Sequence, residues 1–159
     1  MNILVTGAAG FLGRRLIEAL LQRGTLTDRH GQLQPIKRIT AFDREPVQGL
    51  DDPRVQVKEG DISDEQVLAK LIDADTDSIF HLAAVVSSQA EGDFELGMRV
   101  NFSATQGLLE RARQLGSCPK WVMTSSVAVF GGQLPENVDD DQVWAPQSSY
   151  GTQKAMNDL

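Results

Sequence analysis

The sequence predicts an α/β fold, a doubly wound parallel sheet between two layers of helices in a three-layer α/β/α arrangement. Three observations predict it. Short β-branched runs alternate with longer stretches of helical periodicity, the pattern of strands joined by crossover helices. The first run passes straight into a glycine-rich turn and a helix. The 159 residues, 41% hydrophobic and 23% charged, suffice for one domain around one core.

Each element follows from its own signal. Asn2 to Thr6 forms the first strand and ends in glycines. From Gly10 to Gly24, Phe11, Leu12, Leu16, Ile17, Leu20 and Leu21 recur at helical spacing. Thr25 to Pro35 is polar, contains Gly31 and ends in proline, so a surface loop is expected. Ile36 to Phe42 and Val55 to Lys58 are the second and third strands, separated by Pro46, Gly49 and Pro53. A helix is expected over 64–72 with Ser63 as N-cap of a capping box. Ser78 to Leu82 is the fourth strand. Phe94 to Leu115 is a long helix stopped by Gly116. Lys120 to Thr124 is the fifth strand, Val127 to Phe130 continues extended, and Gly131-Gly132 turns the chain. The last helix begins near Ser148 and reaches Leu159 without cap or glycine, so it reads as cut, and a longer chain is expected.

Composition excludes several functions. A formal net charge of -7 argues against a surface for nucleic acid or an anionic membrane, either of which would need a basic face. No run approaches the ~20 apolar residues of a membrane span. Met1 to Gly7 lacks the charge and length of a secretory leader. Cys118 is the single cysteine, so no intrachain disulfide forms, and a reducing compartment is expected. His30 and His81 offer no metal-ligand spacing. The expectation is a cytoplasmic, metal-free domain.

The turn Gly7-Ala8-Ala9-Gly10-Phe11-Leu12-Gly13 lies between strand and helix, the context that gives a glycine repeat meaning. Gly7 permits the tight turn, Gly10 lets backbone amides approach a pyrophosphate, and Gly13 allows close packing of helix on strand. The helix N-terminus then offers N–H groups and a positive dipole end to the phosphates. A Rossmann-type dinucleotide site is therefore expected at this turn. Asp43, at the end of the second strand, can accept hydrogen bonds from both adenosine ribose hydroxyls and would repel a 2′-phosphate. NAD is therefore favoured over NADP, although Arg44 follows directly. The polar loop before the second strand explains why Asp43 lies further from the turn than the ~20 residues usual for the fingerprint. In Gly60-Asp61-Ile62, Asp61 can accept from the adenine amino group while Ile62 packs on the ring; an ordinary turn explains the same residues.

Tyr150-Gly151-Thr152-Gln153-Lys154 sets a phenol and an ammonium one helical turn apart. A free phenol, with a pKa near ~10, is a poor base at neutral pH, and a fixed cation beside it favours the phenolate. Thr124-Ser125-Ser126 ends the fifth strand, at the sheet edge where open parallel sheets bind ligands. Ser126 can hold a substrate oxygen against Tyr150. Glycine turn, Asp43 and the Tyr150–Lys154 pair are all expected to open onto one crevice.

Taken together, T-G-A-A-G-F-L-G, Asp43, G-D-I, F-H-L-A-A at Phe80 to Ala84, Asn101, T-S-S and Y-G-T-Q-K resemble the extended short-chain dehydrogenases, which include sugar-nucleotide epimerases and dehydratases. The resemblance runs the length of the chain. It implies an NAD-binding domain over 1–159, truncated before a C-terminal substrate domain. It makes Tyr150 the acid/base, Lys154 also a ligand of the nicotinamide ribose, and Ser126 the residue that polarises the reacting oxygen. Gly7, Gly10, Phe11, Leu12 and Gly13 hold the cofactor with Asp43, Asp61 and Ile62. Leu82, Ala83 and Ala84 line its cleft, Asn101 braces the long helix against the neighbouring strand, and His81 is structural. A narrower similarity spans Ala83 to Glu91, Asp93 to Gly97, Phe130-Gly131-Gly132 and Pro146 to Tyr150. It points to the subfamily that oxidises the 2-hydroxyl of D-erythronate, a four-carbon sugar acid, with Ser87 and Ser88 on a loop facing the substrate. The implied partners are a small hydroxy acid or sugar and a second subunit, paired through the long helix and the Tyr150 helix. Two alternatives stay open: a nucleotide-sugar epimerase or dehydratase, and a non-catalytic NAD-binding protein or inactive fragment.

Overall fold

The computed structural model describes residues 1–159. Seven strands and six helices follow the chain: β1 Asn2–Thr6, α1 Phe11–Arg23, β2 Thr25–Thr27, β3 Leu33–Pro35, β4 Arg38–Asp43, β5 Val55–Glu59, α2 Glu65–Leu68, β6 Thr76–His81, α3 Ser87–Gly92, α4 Phe94–Gly97, α5 Ala104–Gln114, β7 Lys120–Met123 and α6 Ser149–Asp158. No helix is long and apolar enough to cross a membrane. The chain forms two compact units, the first of residues 1–83 and 107–123, the second of residues 84–106 and 124–159.

The first unit holds the sheet, in the order β5-β4-β1-β6-β7, every neighbouring pair parallel. The sheet grows outward from β1 in both directions, and its order reverses there, which defines a topological switch point. Helices flank it. Ile3 and Val5 of β1 and Ile39 and Ala41 of β4 join Ile17 and Leu20 of α1 in one buried cluster. Their alternate neighbours Leu4, Phe42 and Ile79 are equally buried, as a sheet covered on both faces requires. Phe11 and Leu12, expected on the core stripe of α1, are largely exposed; the buried face begins at Gly13.

Several expected elements are corrected. The loop over Thr25 to Pro35 contains an antiparallel hairpin, β2 with β3. Asp28 organises its tip: one carboxylate oxygen accepts the N–H groups of His30 and Gln32 at 2.8 and 2.9 Å. The helix expected over 64–72 ends at Leu68, and Asp64, not Ser63, caps it by accepting from Gln66 N–H. Ser63 is engaged instead in a turn closed by Asp61 Oδ1, at 2.8 Å from both its N–H and its hydroxyl. Val127 to Val129 is a 3₁₀ turn, not extended chain.

In the second unit the long helix expected from Phe94 is present and unbroken, but its winding widens partway along. Residues Met98–Ser103 between α4 and α5 form a π-helical stretch, a wider winding found mostly as single-turn bulges and frequently at functional sites. Its buried residues are Val100 and Asn101. Ser87 and Ser88, expected on a loop, stand in the first turn of α3.

Candidate active site

In the first unit the strand ends converge on the glycine turn. Gly7 has φ 73°, and a Cβ there would meet the Leu82 and Ala83 backbone at 2.7–2.9 Å. The turn thus lies directly against the end of β6. At Gly13 a Cβ would fall 2.1 Å from Gly7 O, so the start of α1 packs on the turn itself. Gly10 is the N-cap of α1 and has no side chain to cap it. The orphan N–H groups of a helix start therefore meet no side-chain acceptor there. A Cβ at Gly10 would approach only Gly7 O, at 3.2 Å.

Asp43 stands beside this turn. Its Oδ2 accepts from Ala9 N–H at 2.9 Å and its Oδ1 from Glu45 N–H at 3.0 Å. One backbone bond per oxygen orients the carboxylate and leaves lone pairs on both. Gly60 N–H donates to Asp43 O at 3.1 Å, which joins the Gly60-Asp61-Ile62 turn to the same strand end. Asp61 is exposed and Ile62 is buried. Arg44 pairs with Glu45 at 3.6 Å on the surface. Beneath the turn, Thr6 Oγ1 accepts from Leu82 and Ala83 N–H, both at 3.2 Å. Its hydroxyl hydrogen is then directed at His81 Nδ1, 2.8 Å away. His81 is buried and stacks at a tilt on Trp121, with ring centroids 5.6 Å apart.

In the second unit, α6 carries Tyr150 and Lys154 on one side. Lys154 Nζ lies 6.0 Å from the Tyr150 ring centroid and donates to Thr124 O at 2.8 Å. The lysine is buried, and burial lowers its pKa from the usual lysine range against the opposing pull of Asp158. Asp158 is itself held by the Ser125 hydroxyl. Ser126 Oγ accepts from Ala128 N–H at 3.1 Å, so the hydroxyl also caps the 3₁₀ turn. The helix is anchored further along by Gln153, which is fully buried and accepts from Asn101 Nδ2 at 2.9 Å. Asn101 grips Val85 on both sides, accepting from its N–H at 2.8 Å and donating to its carbonyl at 3.2 Å. The π-helical stretch is thereby pinned to the chain that follows β6.

Gln153, Asp158 and Glu91 have no part in the sequence reading of the site. Gln153 lies inside the Y-x-x-x-K motif, so the one available signal was an amide at a position facing the protein. Glu91 gives no local signal, because its partners are nearly sixty residues away.

Residues 3–159 match the NAD dependent epimerase/dehydratase family, and the chain belongs to that family. It is 59% identical over 159 residues to a D-erythronate dehydrogenase of Cupriavidus necator, covering all of this chain and 49% of that protein. It is 42% identical over 160 residues to a D-erythronate dehydrogenase of Haemophilus influenzae, covering 100% of this chain and 48% of that one. Among solved structures, a nucleoside-diphosphate-sugar epimerase from Agrobacterium tumefaciens superposes with a TM-score of 0.89 at 38% identity, over 100% of this chain and 47% of that one. The chain spans about half the length of the curated relatives it matches.

Proposed function

We propose that the protein carrying this chain is an NAD-dependent dehydrogenase that oxidises the 2-hydroxyl of a small sugar acid, D-erythronate. One observation carries the reading: an α6 that sets a buried lysine beside a phenol, with Lys154 Nζ 6.0 Å from the Tyr150 ring and bonded to Thr124 O. That arrangement suits removal of a proton from an alcohol. The similarity to two D-erythronate dehydrogenases over the whole chain supports the substrate class.

The first unit fits NAD. Gly10 leaves the start of α1 without a side-chain cap, which suits a pyrophosphate; Gly7 and Gly13 shape the turn, and Phe11 and Leu12 lie exposed at its rim. Asp43 takes the adenosine ribose, Asp61 and Ile62 the adenine, and Leu82 and Ala83 the rest of the cleft. When bound, the nicotinamide ring supplies the acceptor for the hydride. Tyr150, as phenolate, takes the proton of the substrate hydroxyl. Ser126 donates to the same oxygen, and Ser87 and Ser88 hold other hydroxyls of the substrate. Lys154 spends one N–H on Thr124 O and keeps two for the nicotinamide ribose and the phenol side. Asn101 serves indirectly: with its amide committed to Val85 and Gln153, it braces the π-helical stretch. The single, exposed cysteine supports a cytoplasmic setting.

The likeness to a sugar-nucleotide epimerase structure favours one second reading, transient oxidation of a nucleotide sugar at the same site. A substrate screen of the full-length protein with NAD and NADP separates them. Net NADH formed from D-erythronate is expected. Turnover of a sugar nucleotide with no net NADH, and none from D-erythronate, assigns the second reading instead.

A further inference from the structure

Tyr150 is the second residue of α6, in the turn most prone to fray. An acid/base must hold its place to within about 0.5 Å, so what fixes this turn matters. Local residues do part of the work: Ser148 caps the helix, its Oγ accepting from Gly151 N–H at 3.0 Å. The Tyr150 N–H is left to a distant partner. Glu91 Oε1, on α3, accepts from Tyr150 N–H at 2.9 Å and from the Ser149 hydroxyl at 2.7 Å. These two bonds, the Tyr150 amide first, hold the Glu91 carboxyl below the usual range, and a carboxylate suits the positive end of a helix. The later anchors of α6, Gln153 to Asn101 and Lys154 to Thr124, act one turn further on. Among these anchors Glu91 is the one that takes the Tyr150 N–H.

The platform that carries Glu91 is itself held. Val85, just before α3, is gripped by Asn101; Ala90 is buried; Asp93, just after, caps α4 through Leu96 N–H. Ser87 and Ser88 open the same short helix. We propose that Glu91 is a positioning residue for Tyr150, tying the phenol-bearing turn to the helix that begins with the two serines. The inference rests on the reading of Tyr150 as the base.

The test uses the full-length protein with D-erythronate and NAD. Glu91→Ala is expected to lower kcat about 10- to 100-fold with the Kd for NAD unchanged. Glu91→Gln keeps an acceptor oxygen and is expected to recover most of that loss. In a Tyr150→Phe background, Glu91→Ala should cost nothing further, because it acts through the phenol. Should the alanine variant fail to fold, Glu91→Asp, which keeps the charge but withdraws the oxygens by one methylene, carries the same comparison. Amide hydrogen exchange reads the tether without activity: Tyr150 N–H exchanges faster in Glu91→Ala and at the parent rate in Glu91→Gln. Parent-like kcat in Glu91→Ala, additive loss with Tyr150→Phe, or unchanged exchange at Tyr150 overturns the proposal. Parent-like turnover by Tyr150→Phe alone sinks the assignment of the base instead, while the exchange arm still answers for the tether.

Discussion

The two helix starts that matter most in this protein are finished in opposite ways. At α1 the N-cap is Gly10, with no side-chain acceptor and no acidic residue in the first turn. At α6 the cap is Ser148, which takes the Gly151 N–H, and the carboxylate of Glu91 takes the preceding Tyr150 N–H from outside the helix. Both helices begin with the same unpaired N–H groups and the same dipole. The first has no side-chain acceptor for them; the second meets them with the chain's own Ser148 and Glu91. A helix start left open suits binding, and one closed by the protein's own groups suits holding a side chain still.

That contrast can be broken at either end. The largest effect is expected at α6: Tyr150→Phe in the full-length protein should lower kcat about 10³- to 10⁴-fold while isothermal titration finds the Kd for NAD unchanged. Loss of NAD binding in that variant would erase the division of labour. Next comes Gly13→Ala, which forces a methyl group to within 2.1 Å of Gly7 O. A loss of about 3 kcal/mol in urea unfolding is expected, together with loss of NAD binding.

Gly10→Asp sharpens the comparison most directly. The N-cap already has an extended backbone, φ -69° and ψ 165°, so aspartate can cap α1 as Ser148 caps α6. NAD affinity should then fall about 100-fold, as the new carboxylate occupies the amides and repels the pyrophosphate. Unfolding stability should hold or rise by up to about 1 kcal/mol. Tighter NAD binding would show that the open helix start is not the phosphate site.

The smallest effect is a slope. Burial lowers the Lys154 pKa, so between that value and the ~10.4 of an unfolded lysine the folded protein binds fewer protons. Stability attributable to Lys154 is therefore depressed below the folded pKa and recovers as pH rises toward ~10.4. Lys154→Met should remove that recovery, so the urea midpoint of the parent should rise relative to that of the variant as pH rises from neutral to about 10. A difference that does not change with pH would mean that the ammonium is not desolvated.

Much of the first unit was legible because its signals are local. Three glycines after a β-branched run specify strand, turn and helix within a dozen residues, and Asp43 falls where a strand must end. The misreadings there were also local and concern competition between neighbours. Ser63 and Asp64 are both good caps, and Asp61 captured Ser63 first. The polar segment before β4 reads as a loop because a hairpin whose residues are all partly or fully exposed lacks the alternation that marks a strand. In the second unit the positions of Tyr150, Lys154, Asn101 and Ser126 could be read, but their partners could not. A π-helical turn has no composition of its own, and nothing near Glu91 points to Tyr150.

By itself the sequence determined the chain order of the five strands of the parallel sheet, the glycine turn with the helix that follows it, and the spacing of Tyr150 and Lys154 on the last helix, since these depend on periodicity and on backbone freedom within a few residues. Tertiary structure alone decided that Glu91 reaches the start of α6, that Asn101 joins Val85 to Gln153, and that Thr6 faces His81. Those bonds join residues from sixteen to seventy-five positions apart. A hydrogen bond of that kind exists only once the intervening chain has folded, and no local pattern encodes it.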